Sequence, residues 1–267
     1  MAELVVAGAA GKMGSRIVAL IPEGRDLTLA GALEAPGHPA LGQDAGEVAG
    51  AGRLGVKIEA NAGHVLTRDR VLIEFTNPEA TLAHLRIAAK QGARAVIGTT
   101  GFSPDERSEI EAIARQVPVL LSPNMSVAVN LAFKLLGQMA QALGDDYDVE
   151  ITEIHHRMKK DAPSGTALRM AEVIAQALGR DLAQAAVYGR QGVTGERGRK
   201  EIGIQSLRAG DVVGEHTVVF GGLGERLELT HRAQSRDTFA RGALRGARFI
   251  SDQSPGLYSM QDVLGLK

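Results

Sequence analysis

The chain opens with a short unbroken apolar run, "ELVVAG" at residues 3–8, and continues into residues 12–21, where Met13, Ile17, Val18 and Ile21 recur at helical spacing. The alternation then repeats. "LTLAGALE" (27–34), "VLIEFT" (71–76), "ARAVIGTT" (93–100) and "VPVLLSPN" (117–124) read as buried strands, and residues 79–91 and 104–116 between them have helical composition. Short apolar runs alternating with helices predict a parallel sheet with helices on both faces. Residues 36–56, rich in Gly, Ala and Pro, predict a long surface excursion between two of these units.

After Asn124 the pattern changes. Residues 126–143 predict one long helix rich in Ala and Leu, "VEITEIHH" (149–156) a strand, and 164–179 another helix. Three strand-like runs follow, "EIGIQSLRAG" (201–210), "GEHTVVFGG" (214–222) and "ERLELTHRA" (225–233), and the Gly-containing turns between them predict antiparallel pairing. A last helix over 235–251 is predicted to return to the first domain. The fold class expected is therefore α/β, with an N-terminal Rossmann-type doubly wound parallel sheet and a C-terminal α+β domain whose sheet is mixed or antiparallel. The first domain is expected over 1–125, completed by 235–267, and the second over 126–234.

Composition narrows this picture in a few places. Apolar residues make up 44% of the chain and aromatics 3%, so the cores must be built from Ala, Val, Leu and Ile. Thirty basic against 31 acidic residues leave a net charge of −1, which argues against a nucleic-acid or anionic-membrane partner. The absence of cysteine excludes disulfides, thiolate catalysis and cysteine-based metal sites. With no long apolar segment, neither a signal peptide nor a membrane span is expected, and a cytoplasmic location is.

Two stretches carry candidate chemistry. In "VVAGAAGKMGSRI", Gly8, Gly11 and Gly14 fall at a strand-to-helix turn, where glycines let backbone amides approach a pyrophosphate at the helix N-terminus. The spacing G-x-x-G-x-x-G is weak on its own. Glu34, 20 residues beyond Gly14, stands where an acid would bind a ribose 2′-hydroxyl and strengthens it. "GTTG" (98–101) and "SPNMS" (122–126) each read as a simple turn when taken alone, but their shared position at strand ends makes them candidates to line the nicotinamide half of a cofactor site.

The second stretch is "EITEIHHRMKKDAPSGTAL", residues 150–168. Adjacent His155 and His156 on a strand point to opposite faces and cannot readily share a metal ion, so no metal is expected. Histidine titrates near neutral pH, a neighbouring lysine adds a cation or a proton, and Ser164 is a good N-cap. Ser164, Gly165 and Thr166 then make a carboxylate-sized anion site at a helix start.

These residues, with "VIGTTGF", "SPNMSVAVN" and "RAGDVVGEHTVVF…GERLELTHRAQSRDTFARGA", resemble the 4-hydroxy-tetrahydrodipicolinate reductase (dihydrodipicolinate reductase) family, essentially end to end. The resemblance implies NAD(P)H-dependent reduction of a cyclic dicarboxylic imine in diaminopimelate and lysine synthesis. It implies His155 as acid–base residue, Lys159 as proton donor, His156 as a substrate contact, and Ser164, Gly165 and Thr166 as a carboxylate cradle. Cofactor contacts are implied at Gly8, Ala9, Ala10, Gly11, Lys12 and Met13, at Glu34, at Gly98, Thr99 and Thr100, and at Ser122, Pro123, Asn124 and Met125. A homotetramer assembled through the second domain's sheet, and closure of two hinged domains over the substrate, are further implications. Lys160 lies outside the motif and reads as a solvated charge. One departure bears on the cofactor: Ala35 and Pro36 follow Glu34 where members using NADPH well often carry an arginine, so NADH is expected to serve at least as well as NADPH. Lys12 keeps dual use open. The rival readings are another two-domain NAD(P)-dependent dehydrogenase of amino-acid metabolism and a dinucleotide-sensing regulatory protein.

Overall fold

The structure, a computed structural model, describes residues 1–266. The chain runs β1 (Ala2–Ala7), α1 (Gly14–Leu20), β2 (Leu27–Leu33), α2 (Ala45–Val48), β3 (Ile58–Glu59), α3 (Ala62–Val65), β4 (Arg70–Glu74), α4 (Pro78–Gln91), β5 (Arg94–Ile97), α5 (Pro104–Ala114) and β6 (Pro118–Leu121). It continues through α6 (Val127–Leu143), β7 (Asp148–His155), α7 (Gly165–Ala177), α8 (Leu182–Ala185), β8 (Ala186–Tyr188), β9 (Ile202–Arg208), β10 (Gly214–Gly221) and β11 (Arg226–Ala233). The last elements are α9 (Asp237–Ile250), β12 (Gly256–Tyr258) and α10 (Met260–Leu264). Two compact units result: Met1–Val127 with Arg236–Lys267, and Ala128–Ser235.

The first unit is built on a parallel sheet ordered β12-β6-β5-β4-β1-β2-β3. Alternation along its strands divides the core in two. Leu4, Val6, Val71 and Ile73 join α1 and α9 residues such as Ile17, Ala243 and Leu244 on one face. Val5, Ala7 and Leu72 join Leu82, Leu85 and Ile110 of α4 and α5 on the other. Both faces are thus covered, which is why these strands read as continuous apolar runs rather than alternating ones. The order reverses between β1 and β4, and in such sheets ligands bind beyond the strand ends at that reversal. The predicted surface excursion is only partly irregular. Within it Asp44 caps α2 through Gly46 and Glu47 amides, and β3 follows just beyond it.

The second unit holds a five-stranded sheet, β11-β10-β7-β9-β8. α6 and α7 pack on one face, where Phe133, Leu136, Met170 and Ile174 meet Val149, Ile151, Ile204, Val218 and Phe220. The expectation of antiparallel pairing among the three late strands holds for β10 with β11 but not for β9 with β10. β9 pairs with β7 in parallel, and β10 lies antiparallel on the other side of β7. The Gly210 turn therefore links strands that flank a third, and turn chemistry alone does not distinguish that from a hairpin.

Candidate active site

In the first unit the predicted loops gather at the C-terminal ends of β1, β4, β5 and β6. Gly8 adopts φ +65°, a conformation glycine takes without strain, and its carbonyl accepts the Gly11 amide at 2.9 Å. A Cβ on Gly14 would lie 2.0 Å from the Gly8 oxygen, so α1 can approach the loop this closely only with glycine there. Ala9 N–H donates to Leu33 O at 3.0 Å, and Ala10 N–H donates to Glu34 Oε1 at 2.9 Å. The loop and the strand-end acid are thus one hydrogen-bonded unit. Lys12 is exposed beside them.

Met13, Gly98, Pro123, Asn124 and Met125, drawn from three separate predicted segments, line one hollow of about 280 Å³ together with Phe75. Thr99 and Ser122 are buried, and their oxygens are engaged within the protein. Thr99 Oγ1 accepts from Thr76 N at 3.2 Å and Thr81 Oγ1 at 2.9 Å, and Ser122 Oγ donates to Asn124 O at 2.8 Å. These two positions therefore shape the loops, while Thr100 is exposed. A glycine loop at φ > 0, an acid hydrogen-bonded to it and an apolar hollow at the strand ends fit a dinucleotide ending in nicotinamide.

Beneath Thr99 lies a buried acid that no motif or spacing signals. Glu74, fully buried on α4's side of the sheet, accepts from Thr76 Oγ1 at 2.8 Å and lies 2.5 Å from His84 Nδ1.

In the second unit, β7 ends at His155 and α7 begins at Gly165, and the segment between them folds back on the sheet. Ser164 caps α7, its Oγ accepting Ala167 N–H at 3.2 Å. A Cβ on Gly165 would meet nothing within 4 Å, so the ground before this helix start is open. Thr166 is half-buried beside it. Lys159 Nζ lies 2.9 Å from both oxygens of Asp161, and this ammonium holds the Asp161 carboxyl below its usual range. His156 lies just past the strand, half-buried, its carbonyl accepting Lys159 N–H at 3.1 Å, and Lys160 is exposed.

His155 is not alone. Its Nδ1 lies 2.5 Å from Glu153 Oε2, and Glu153 is fully buried. The same carboxylate accepts Ser164 N–H at 3.2 Å and Arg208 Nη1 at 3.0 Å on each oxygen. Burial works to raise the Glu153 carboxyl, but hydrogen bonds from His155, Ser206 and Arg208 overcome it and hold the group below its usual range. Burial also lowers His155. Glu153 opposes that shift, and Lys159 and Arg208 add to it. His216 lies behind, its ring centroid 5.2 Å from that of His155 and its Nε2 3.1 Å from Ser164 Oγ. Burial pushes His216 down to about 3, so the ring is neutral. Glu153, Arg208 and His216 were missed because strand register joins them: Glu153 pairs with Ser206, His155 with Arg208, and His216 with Glu153.

A dinucleotide-type sheet in one unit, and in the other an imidazole on a buried carboxylate beside an open helix start, define a dinucleotide-dependent oxidoreductase of two units. Family models described as the N-terminus and C-terminus of dihydrodipicolinate reductase match residues 2–125 and 128–264. The 4-hydroxy-tetrahydrodipicolinate reductase of Syntrophus aciditrophicus is 55% identical, and that of Geobacter sulfurreducens 54%, over 267 residues covering 100% of both chains in each case. The chain belongs to the dihydrodipicolinate reductase family, whose members are nicotinamide-dependent oxidoreductases. Among solved structures, a dipicolinate-bound dihydrodipicolinate reductase from Paenisporosarcina sp. TG-14 shares the fold, with TM-score 0.74, 23% identity and 98% of each chain covered. An amine dehydrogenase from Mycobacterium smegmatis shares it at TM-score 0.60 and 15% identity, over 97% of this chain and 95% of that one.

Proposed function

We propose that this chain reduces 4-hydroxy-2,3,4,5-tetrahydrodipicolinate to 2,3,4,5-tetrahydrodipicolinate, with loss of water, in diaminopimelate and lysine synthesis. The observation that carries the reading is that relatives named for this activity match every residue of the chain at 53–55% identity. A bound NADH or NADPH supplies the hydride. The protein's own residues then manage charge and protons. With Nδ1 committed to Glu153, His155 presents Nε2 as the atom that holds or moves a proton. Lys159 is the second donor, its Nζ paired with the Asp161 carboxylate. Ser164, Gly165 and Thr166 hold one substrate carboxylate, which the open ground before Gly165 lets approach the backbone closely. His156 orients the substrate.

For the cofactor, Gly8 to Met13 receive the pyrophosphate and Glu34 the ribose diol. Gly98, Thr100 and Pro123 to Met125 receive the nicotinamide, on loops that Thr99 and Ser122 shape from within. Glu34 keeps lone pairs for two hydroxyls after accepting Ala10 N–H, whereas a 2′-phosphate would meet its charge. NADH therefore serves at least as well as NADPH. No metal takes part. The reading also carries a cytoplasmic location, with the biosynthetic relatives, and a homotetramer formed on the second unit's sheet face that bears Ile154, Leu207 and Val219. Light scattering tests the tetramer.

The deciding experiment follows NADH consumption with substrate generated in situ from pyruvate and aspartate semialdehyde. His155→Gln and Lys159→Ala should each lose roughly 100-fold in kcat. Full activity in both variants would overturn the catalytic assignment, and a kcat/KM at least tenfold higher for NADPH would overturn the cofactor preference.

A further inference from the structure

We propose that Glu153 is a positioning residue that locks the acid–base imidazole and the carboxylate cradle into one geometry, with Arg208 as its counter-charge. The inference rests on the function proposed above and extends it to residues outside the reacting groups.

Glu153 lies on β7, the central strand of the second unit, and its side chain points to the helix-covered face. Its partners come from three places. His155 is two residues along the same strand, Arg208 ends the neighbouring β9, and Ser164 opens α7. The imidazole N–H, the backbone N–H and the guanidinium all donate, and the Ser206 hydroxyl is a further partner. A carboxylate suits such a set, because an amide would turn its own N–H₂ against the Arg208 guanidinium that bridges both oxygens. A fully buried carboxylate contributes little to stability unless its partners offset the loss of water, so packing alone does not account for an acid here. What the acid does account for is the coincidence of two functions. One oxygen fixes the His155 tautomer, with the proton on Nδ1 and Nε2 turned away. The other holds the N-cap of α7, whose first residue, Gly165, would meet nothing within 4 Å if it carried a Cβ.

Arg208 completes the arrangement. Its Nη1 bridges both Glu153 oxygens at 3.0 Å, while Nη2 donates to Asp161 O at 2.6 Å, tying down the segment that carries Lys159. The charged and titratable groups around the His155 ring are therefore Glu153, Arg208, Lys159 with its partner Asp161, and the neutral His216. Glu153 favours the imidazolium and Arg208 disfavours it, so removing either should move the ring's titration in opposite directions. A residue serving only the fold would not produce that pair of signs.

The test is an NMR titration of the His155 ring in the full-length protein, its resonance assigned with His155→Gln, in wild type, Glu153→Gln and Arg208→Gln. Dipicolinate binding is measured by calorimetry in the same proteins. In Glu153→Gln the His155 midpoint should fall, dipicolinate should bind about tenfold more weakly, and kcat/KM should drop by roughly 100-fold. In Arg208→Gln the midpoint should rise. Movement in the same direction in both variants, or in neither, overturns the proposal. Should Glu153→Gln fail to fold, Arg208→Gln decides alone, and an unmoved or lowered midpoint overturns it. The titration does not depend on the reductase assay. A wild-type protein that fails to reduce the imine would overturn the proposed function and leave the positioning role to be judged by the ring.

Discussion

His216 Nε2 sits 3.1 Å from Ser164 Oγ, so a buried neutral imidazole backs the serine that caps the cradle helix. The imidazolium would carry a proton on both ring nitrogens, and Nδ1 is a buried atom with no hydrogen-bond partner.

The first prediction concerns stability against pH. The folded value of His216, about 3, lies below the ordinary 6.5, so its contribution is fully present above the unfolded value. It declines as pH falls towards the folded one. Between about pH 6 and pH 5, wild type should lose ~1.4 kcal/mol per pH unit more than His216→Gln. Denaturant melts of both proteins across that window measure the difference. Parallel curves would show that the ring takes up its proton in the folded state as readily as in the unfolded one.

Gly214 gives the second. A Cβ there would lie 3.0 Å from His155 Nε2, the proposed proton-handling atom, and 3.3 Å from its Cδ2. Gly214→Ala should displace the imidazole and lower kcat by about tenfold or more, since small misplacements of a reacting group are costly. NADH affinity should stay within twofold. Stopped-flow turnover and fluorescence titration separate the two quantities, and an unchanged kcat would mean the ring does not work from this position.

Gly14→Ala is the third, and it addresses the other unit. The added methyl would stand 2.0 Å from Gly8 O and 2.9 Å from Ala9 Cα, both backbone, so no side-chain rotation relieves it. The glycine loop must move, and binding of both NADH and ADP-ribose should weaken by about tenfold or more, because both carry the pyrophosphate that the loop is proposed to hold. Titration with ADP-ribose is the direct check. If ADP-ribose binding survives while NADH binding is lost, the damage lies at the nicotinamide end and the cradle assignment is wrong.

The fourth concerns Glu74. This fully buried carboxylate depends on His84, whose side chain is 21% exposed, and on the hydroxyl of Thr76. His84→Ala should destabilise the protein by about 2 kcal/mol, the loss being limited by water reaching the vacated edge. Glu74→Gln with His84 intact should cost less. Chemical denaturation midpoints test the order of the two variants.

Much of the first unit was legible because its strands are buried on both faces and so write continuous apolar runs. Leu4 to Ala7 is one case and Val71 to Ile73 another. β3 and β12, with two and three residues, are too short to leave a period and were missed. The glycine loop and Glu34 could be read together because a strand, a turn and a helix fix their separation along the chain. The partners of His155 could not. Arg208 and His216 lie 53 and 61 residues beyond it, and only the pairing of β7 with β9 and β10 brings them alongside. The Gly210 turn misled for a related reason. It suggested that β9 and β10 lie side by side, when β7 stands between them.

That placement of β7 has a consequence for how the chain matures. His155, Lys159 and Ser164 are all synthesised well before the strands that flank them, and the parallel β7–β9 pairing closes a loop of some fifty residues before it yields any stabilisation. A nascent chain that has emerged only as far as residue 200 carries these three proposed site residues but neither Arg208 nor His216. Reductase activity recovered during refolding should therefore trail the formation of helical signal. Catalytic competence then requires the arrival of β9 and β10 on either side of β7.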